Sequence, residues 1–330
     1  DEMVANTTDG KMSISIVPYA TQVSVSNDLF NQYNASSEHN YSRCVNFQSS
    51  DFQTTALPTT TPIQRSMHFS PWSSYDYRTR YSTPRLVSRP VCDERASREV
   101  LPLQKDASVL KNFIDGLSAW GNTSIDLGMK WATSLLDPSA QPAINALSTG
   151  VGATIPGDFA LRPSSYTDAD TVKIVVLMTD GQNTSQYYVE SDHRSGDSGV
   201  WYHAGNKRYS TLRTSTGKYW RDGYSSWYST PYGGDASDRL SYADLFAYTS
   251  LKYLYNNLYR DWMGSSAARS EWYYGVYDSY GTSTKNARTK NICDAAKAQG
   301  IIVYTIGFEA PSGGRAVLRD CASSDAHFFD

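Results

Sequence analysis

Charge is in short supply in this 330-residue sequence. Asp, Glu, Lys and Arg make up 19% of it and nearly cancel, at a net −3. A nucleic-acid partner calls for a basic stripe, and none is present. Long apolar runs are missing too: the longest, 174–178, is strand-length, far below the ~20 residues that cross a bilayer. The first residues lack the basic-then-apolar order of a secretory signal. His39, His68, His193, His203 and His327 share no ligand spacing, and the four cysteines include no C-x-x-C pair, which excludes a zinc site of the usual spacing. No serine or cysteine sits in a nucleophile elbow, and no glycine-rich loop is spaced to cradle phosphate. Aromatics, by contrast, are plentiful, with 25 Tyr and 8 Trp. The length suits one large domain or two ordinary ones.

Residues 11–19 (KMSISIVPY) alternate polar and apolar, the period of a strand, and Pro18 marks its end because it cannot donate to a ladder. Residues 22–25 suggest a short strand returning beside it. From 27 to about 106 the pattern dissolves into Ser, Thr, Asn, Pro and Tyr. A structureless loop of that length is unusual, so the segment reads as an elaborated insertion. Val109, Leu110, Phe113, Ile114 and Leu117 restore helical spacing with one apolar face. Gly121-Asn122-Thr123-Ser124 breaks that helix, and Thr123 or Ser124 caps the next, over 125–136, which Asp137-Pro138 stops. Residues 171–178 (TVKIVVLM) are nearly continuous and β-branched, as in a strand buried on both faces, and lead into Thr179-Asp180-Gly181. A second insertion, at about 184–284, carries one amphipathic helix from Tyr242 to about Trp262. The chain closes with a helix over 287–299 stopped by Gly300, a buried strand over 301–308, a short helix over 317–322 and a last strand at 327–329. Strands alternating with helices imply an α/β fold with a mostly parallel, doubly wound sheet. Such sheets bind ligands beyond the carboxyl ends of their strands.

That placement singles out Asp180, a carboxylate where a strand meets a glycine turn, and Thr123, in a turn that opens a helix. A carboxylate plus hydroxyls on adjacent loops suits a hard cation such as Mg²⁺. Taken alone, Asp at a strand end is commonly a turn former and Thr before a helix commonly a cap. The segment 121–129 (GNTSIDLGM), with Trp131 and Leu135-Leu136-Asp137-Pro138, resembles the second metal loop of von Willebrand factor A-type domains. In particular it resembles those of the TadG-like proteins of bacterial Flp/Tad pilus assembly. Residues 175–181 (VVLMTDG) are similar to the third metal loop, and 11–19 resembles the strand that family places second. Residues 293–308 (CDAAKAQGIIVYTIGF), followed by Cys321-Ala322-Ser323-Ser324, resemble its C-terminal signature. The four blocks stand in family order.

The resemblance implies a von Willebrand A-like domain over 1–330, with insertions at about 27–106 and 184–284. It also implies a metal-ion-dependent adhesion site for Mg²⁺ or Ca²⁺ with Thr123 and Asp180 as ligands. The family's first metal loop, Asp-x-Ser-x-Ser, has no counterpart, so the implied site is incomplete in this chain and weak cation binding is expected. Asp126 is the first acidic residue to consider as a replacement. The implied function is a non-enzymatic binding module of an extracytoplasmic bacterial envelope protein, engaging pilus-assembly or envelope proteins and anchored in the membrane by upstream sequence. Residues 1–6 read as the last turn of a helix. Two other functions stand beside this one. An adhesin would bind glycan or a host surface through the Tyr/Trp-rich insertion. A metal-assisted hydrolase would use Asp180, against which stands the lack of a paired acid, base or nucleophile.

Four cysteines allow three pairings. Cys44 and Cys92 bracket one insertion, and Cys293 and Cys321 flank one strand–helix unit, so disulfides 44–92 and 293–321 are expected, in an exported protein. In the family, the missing first strand lies between the strands assigned here to 12–19 and 172–178. These two are therefore expected to stand unpaired, about 10 Å apart, and the chain is expected not to fold without a strand supplied from elsewhere.

Overall fold

The computed structural model of the chain describes residues 4, 6–72, 77–79 and 82–330, and the helical turn expected at 1–6 lies mostly outside them. The alternation at 11–19 yields a strand only at its centre, β1 (Ile14–Ile16). Its antiparallel partner is β2 (Leu101–Gln104), from the end of the first presumed insertion, not the expected return at 22–25. Ser24 makes only an isolated bridge to Glu99. With four residues and a proline, β2 carries too short a period to be read from sequence. Helix α1 (Ala107–Asp115) starts where the Asp106 carboxylate accepts bonds from the amides of Ser108 and Val109, at 2.7 and 3.0 Å. Its apolar side is largely unused, since Leu110 is buried while Val109 and Ile114 are exposed. Helix α2 (Ile125–Ser134) is the reverse, with all but Ala132 buried. Its Trp131 meets the rings of Tyr33 and Phe47 edge-on at the centre of the first core. Asp137 then caps the next turn, and α3 (Gln141–Ser148) adds Ile144 and Leu147 to the same core. Strand β3 (Ile174–Thr179) follows.

Residues 184–284 hold the largest sheet. After β4 (Gln186–Val189) come β5 (Asp197–His203), β6 (Arg208–Arg213), β7 (Lys218–Arg221), β8 (Trp227–Tyr228) and β9 (Asp238–Ser241). The last five form one antiparallel sheet in the order β8-β7-β6-β5-β9. Left-handed residues make two of its turns, Lys207 at φ 54° and Gly217 at φ 63°. Both faces of this sheet carry aromatic rings, which flattens the polar–apolar alternation that would have revealed it. Helix α4 (Tyr242–Tyr248) corrects the single helix expected over 242–262. Thr249 is extended, and the Ser250 hydroxyl caps a new start by accepting from the Tyr253 amide. The chain returns through β10 (Tyr277–Tyr280), antiparallel to β4. This region builds a second core from residues such as Leu245, Phe246, Leu254 and Leu258, which Met67, Phe69 and Val91 join from the first insertion. That insertion is therefore shared: Val45, Phe47 and Phe52 belong to the first core.

Helix α5 (Thr282–Ala298) begins earlier than its apolar residues suggest and ends before Gly300, which is left-handed at φ 76°. Strand β11 (Ile302–Gly307), helix α6 (Ser312–Cys321) and the short β12 (Phe328–Phe329) complete the chain. The sheet β12-β11-β3 is parallel, with Ile302 opposite Ile174 and Gly307 opposite Thr179. The molecule is thus mixed α/β, and strand pairing is parallel in these three strands.

Strand β3 is not buried on both faces as its continuous apolar run suggests. Val175 and Leu177 are inside, whereas Ile174, Val176 and Met178 are 47%, 54% and 47% exposed. Strand β11 alternates in the same way. A run of β-branched residues reads as doubly covered, but here helices cover one face. The edge of β3 opposite β11 is open as well. Ile302 N–H donates to the Lys173 carbonyl and Phe308 N–H to that of Thr179, so the odd-numbered residues of β3 serve β11. The main-chain groups of Ile174, Val176 and Met178 point the other way. No ladder joins β1 to β3, as expected; instead the Tyr19 hydroxyl reaches across to the Met178 carbonyl at 2.5 Å.

The two expected disulfides are present, Cys44–Cys92 and Cys293–Cys321, and no cysteine is free. The second ties α5 to α6, and the first joins a segment of one core to a segment of the other. They point to an oxidising, extracytoplasmic compartment. Among the described residues, no helix is long and apolar enough to cross a membrane.

Candidate functional site

Thr123 and Asp180, 57 positions apart in the sequence, are brought to one rim of the parallel sheet by bonds between their loops. The Thr123 amide donates to the Thr184 hydroxyl at 2.9 Å, and the Thr184 amide donates to the Thr123 carbonyl at 3.0 Å. The Asn122 side chain holds the Ser185 carbonyl, and its amide holds the Thr21 hydroxyl. The Thr123 hydroxyl lies over Gly181, where an added Cβ would stand 3.3 Å from it. A Cβ on Gly314, in the first turn of α6, would stand 2.1 Å from the Gly181 carbonyl, so that glycine allows α6 to pack on the turn. Asp180 itself is exposed.

Tyr19 walls the site on the β1 side. Its ring packs on Gly128 of α2, where a Cβ would come within 2.6 Å of it. Burial pushes its hydroxyl up to about 12, against the lowering effect of a hydrogen bond with Thr179 and with a smaller contribution from the charge of Asp180.

Neither Thr123 nor Ser124 caps α2 with its side chain. The Ile125 amide donates instead to Asn183 Oδ1 at 2.8 Å, from the turn after Asp180. Asn183, wholly buried, also donates to Asn286 and Thr289 of α5. The Ser124 hydroxyl is occupied elsewhere, donating to the Thr21 carbonyl. A cap supplied across 58 residues leaves no local pattern to read.

Behind the loops lies a buried charge cluster. Lys285 Nζ, fully enclosed, donates to the carbonyls of Thr123 and Thr184 at 2.9 and 2.7 Å and to the Ser124 hydroxyl at 2.5 Å. It stands 3.7 Å from Asp126, and Arg288 Nη1 stands 4.0 Å from the other oxygen of that carboxylate. The Arg288 guanidinium lies over the Tyr280 ring at 3.7 Å. Burial pushes Lys285 down to about 8 and outweighs Asp126, and it pushes Asp126 upward despite the two cations. Asp126 is fully buried, and this corrects its candidacy as a rim ligand: it faces inward to Lys285. Lys285 carries no local signal in the sequence, because the first turn and a half of α5 has no apolar period. The usable signal is that 285, 288, 292 and 296 share one helix face.

One carboxylate and one hydroxyl make a poor cation site, and a lysine ammonium already occupies the oxygens behind Thr123. Among the described residues no group of three or more His, Cys, Asp or Glu is placed to hold a metal ion. No family model, curated protein or solved structure matches this chain.

Proposed function

We propose that the chain is a non-enzymatic binding module of a bacterial envelope protein, a von Willebrand A-type domain resembling those of TadG-like pilus-assembly proteins. In this reading the rim bearing Thr123 and Asp180 engages protein partners, and the full-length protein is membrane-anchored. The convergence of the 121–124 loop and the 180–184 turn beyond the carboxyl end of β3 carries the reading, since that is where α/β sheets bind. The doubly wound sheet with an absent strand is supported by the open edge of β3 and by Tyr19 bridging to it. Among the described residues no ion pair or side-chain hydrogen bond places an acid–base partner on the Asp180 carboxylate, which favours the binding reading over hydrolysis.

Site-specific photo-crosslinking from Gln182 in cells assembling Flp/Tad-type pili tests this. Adducts with pilus-assembly proteins that disappear on Asp180→Ala are expected; adduct yields untouched by that change would refute it. Calorimetry should show that Mg²⁺ and Ca²⁺ bind only weakly to this chain. Micromolar affinity abolished by Asp180→Ala would mean that further ligands complete the site.

A further inference from the structure

The five-stranded sheet in the second insertion has two unlike faces, and only one joins a hydrophobic core; on the other, the 230–232 segment packs at one corner, where the buried Ser210 hydroxyl accepts from the Tyr232 amide. Directly opposed residues in an antiparallel ladder share a face. One such row is Leu240, Val200, Thr211, Trp220 and Trp227, and it turns inward. Val200, Tyr209, Tyr202 and Leu240 join the second core from this side, and the Thr211 hydroxyl accepts from the Trp262 indole at 3.0 Å. The other face carries Trp201, Leu212, Tyr219, Arg221, Tyr228 and Arg239, and none of these belongs to a hydrophobic core.

That outward face is ordered by its own rings. Trp201 and Tyr219 meet edge to face at 5.0 Å across the middle strand, where the small Ser210 leaves room. The Arg239 guanidinium lies 5.1 Å from the Trp201 ring centre and that of Arg221 3.9 Å from Tyr228. The six side chains are half-buried apart from Arg239, which is exposed and also paired with Asp197 at 2.7 Å. The Trp201 indole N–H and the Tyr219 hydroxyl make no hydrogen bond among the described residues. Charge departs from the rest of the chain here. Residues 197–241 hold six Lys and Arg against four Asp, and Asp222 is buried, whereas the whole chain is at −3.

We propose that this outward face is a binding platform for an acidic polysaccharide, distinct from the rim at Asp180. The C–H faces of pyranose rings lie flat on aromatic rings, and Tyr and Trp offer that contact area at low entropic cost. Indole N–H and phenol O–H groups take up ring hydroxyls. Uronate carboxylates suit the planar, two-pronged guanidinium, here the exposed Arg239; Arg221 spends Nε and Nη2 on the Thr230 carbonyl and hydroxyl and serves to hold its place against the Tyr228 ring. Single-stranded nucleic acid also stacks on rings beside arginine, but the disulfides place the chain in an oxidising compartment, and the excess of positive charge is small.

Affinity electrophoresis of the whole chain through gels containing polygalacturonate, neutral dextran or oligo-dT decides the matter. Retardation by polygalacturonate alone is expected, unchanged by EDTA and by Asp180→Ala. Its apparent Kd should rise at least about tenfold in Trp201→Ala and in Arg239→Glu, the latter an exposed site that leaves the fold intact. No retardation by polygalacturonate, equal retardation by dextran, stronger retardation by oligo-dT, or binding by both variants at wild-type strength would overturn the proposal. Because Asp180→Ala is the control, failure here leaves the reading of the rim standing, and the converse holds too.

Discussion

At the scale of single residues, the buried charges matter most. Lys285 ties the two site loops together, and its removal would leave Asp126 enclosed with only the more distant Arg288. Breaking a buried pair from one side costs about 3–5 kcal/mol, so Lys285→Met should lower the unfolding free energy by that order in denaturant titrations. Lys130, also enclosed, donates to the carbonyls of Thr54 and Ala56 and is pushed down by burial to about 8, like Lys285. Between about 8 and the ordinary lysine value of 10.5, the unfolded chain holds more protons than the folded one. Stability therefore rises with pH across that window, by on the order of 1–3 kcal/mol per lysine. Tyr19 acts oppositely at higher pH, because its folded value of about 12 lies above the ordinary 10.0 and stability is lost as pH climbs between them. Denaturation midpoints should increase from pH 7.5 to 9.5, with a smaller increase in Lys130→Met; a flat or falling wild-type curve would contradict the assignment.

At the scale of elements, the open edge of β3 makes a residue-by-residue forecast. The amides of Val175, Leu177 and Thr179 face β11, and those of Ile174, Val176 and Met178 do not. Hydrogen exchange followed by NMR should show fast, slow, fast, slow along the strand. The side chains follow the same parity. Val176→Lys adds a charge to a half-exposed position and should change stability by no more than about 0.5 kcal/mol. Val175→Lys buries an unpaired charge, and little folded protein should remain. An unprotected apolar edge is a hazard that proteins ordinarily cover. The exposed Val109 and Ile114 of α1 add to the apolar surface that this chain leaves uncovered.

At the scale of the whole molecule, two hydrophobic cores are held together by chain crossings and by Cys44–Cys92, whose neighbours Val45 and Val91 lie one in each core. The bridges close 48 and 28 residues, worth about 3–4 kcal/mol each on the chain-entropy model. Paired Cys→Ser variants should lose that much in equilibrium unfolding. Losses near zero would mean that the reduced chain keeps these loops closed by packing alone.

The sequence by itself determined the elements whose signal is local and one-sided. These are α2 between its glycine turn and Asp137-Pro138, the strands at 174–179 and 302–307, and the helix ending at Gly300. It also pointed to the cysteine pairing through proximity in the chain, although Cys44–Cys92 turns out to join the two cores where the sequence suggested one bracketed insertion, and it marked Thr123 and Asp180 by their positions at element ends. Only the tertiary structure decided the rest. The five-stranded sheet is aromatic on both faces, so its polarity carries no period. The cap of α2 comes from Asn183 and the bracing of the loops from Lys285, each through bonds spanning tens of residues. Whether β3 is covered on one face or two depends on what packs against it, and a run of apolar residues looks the same in either case.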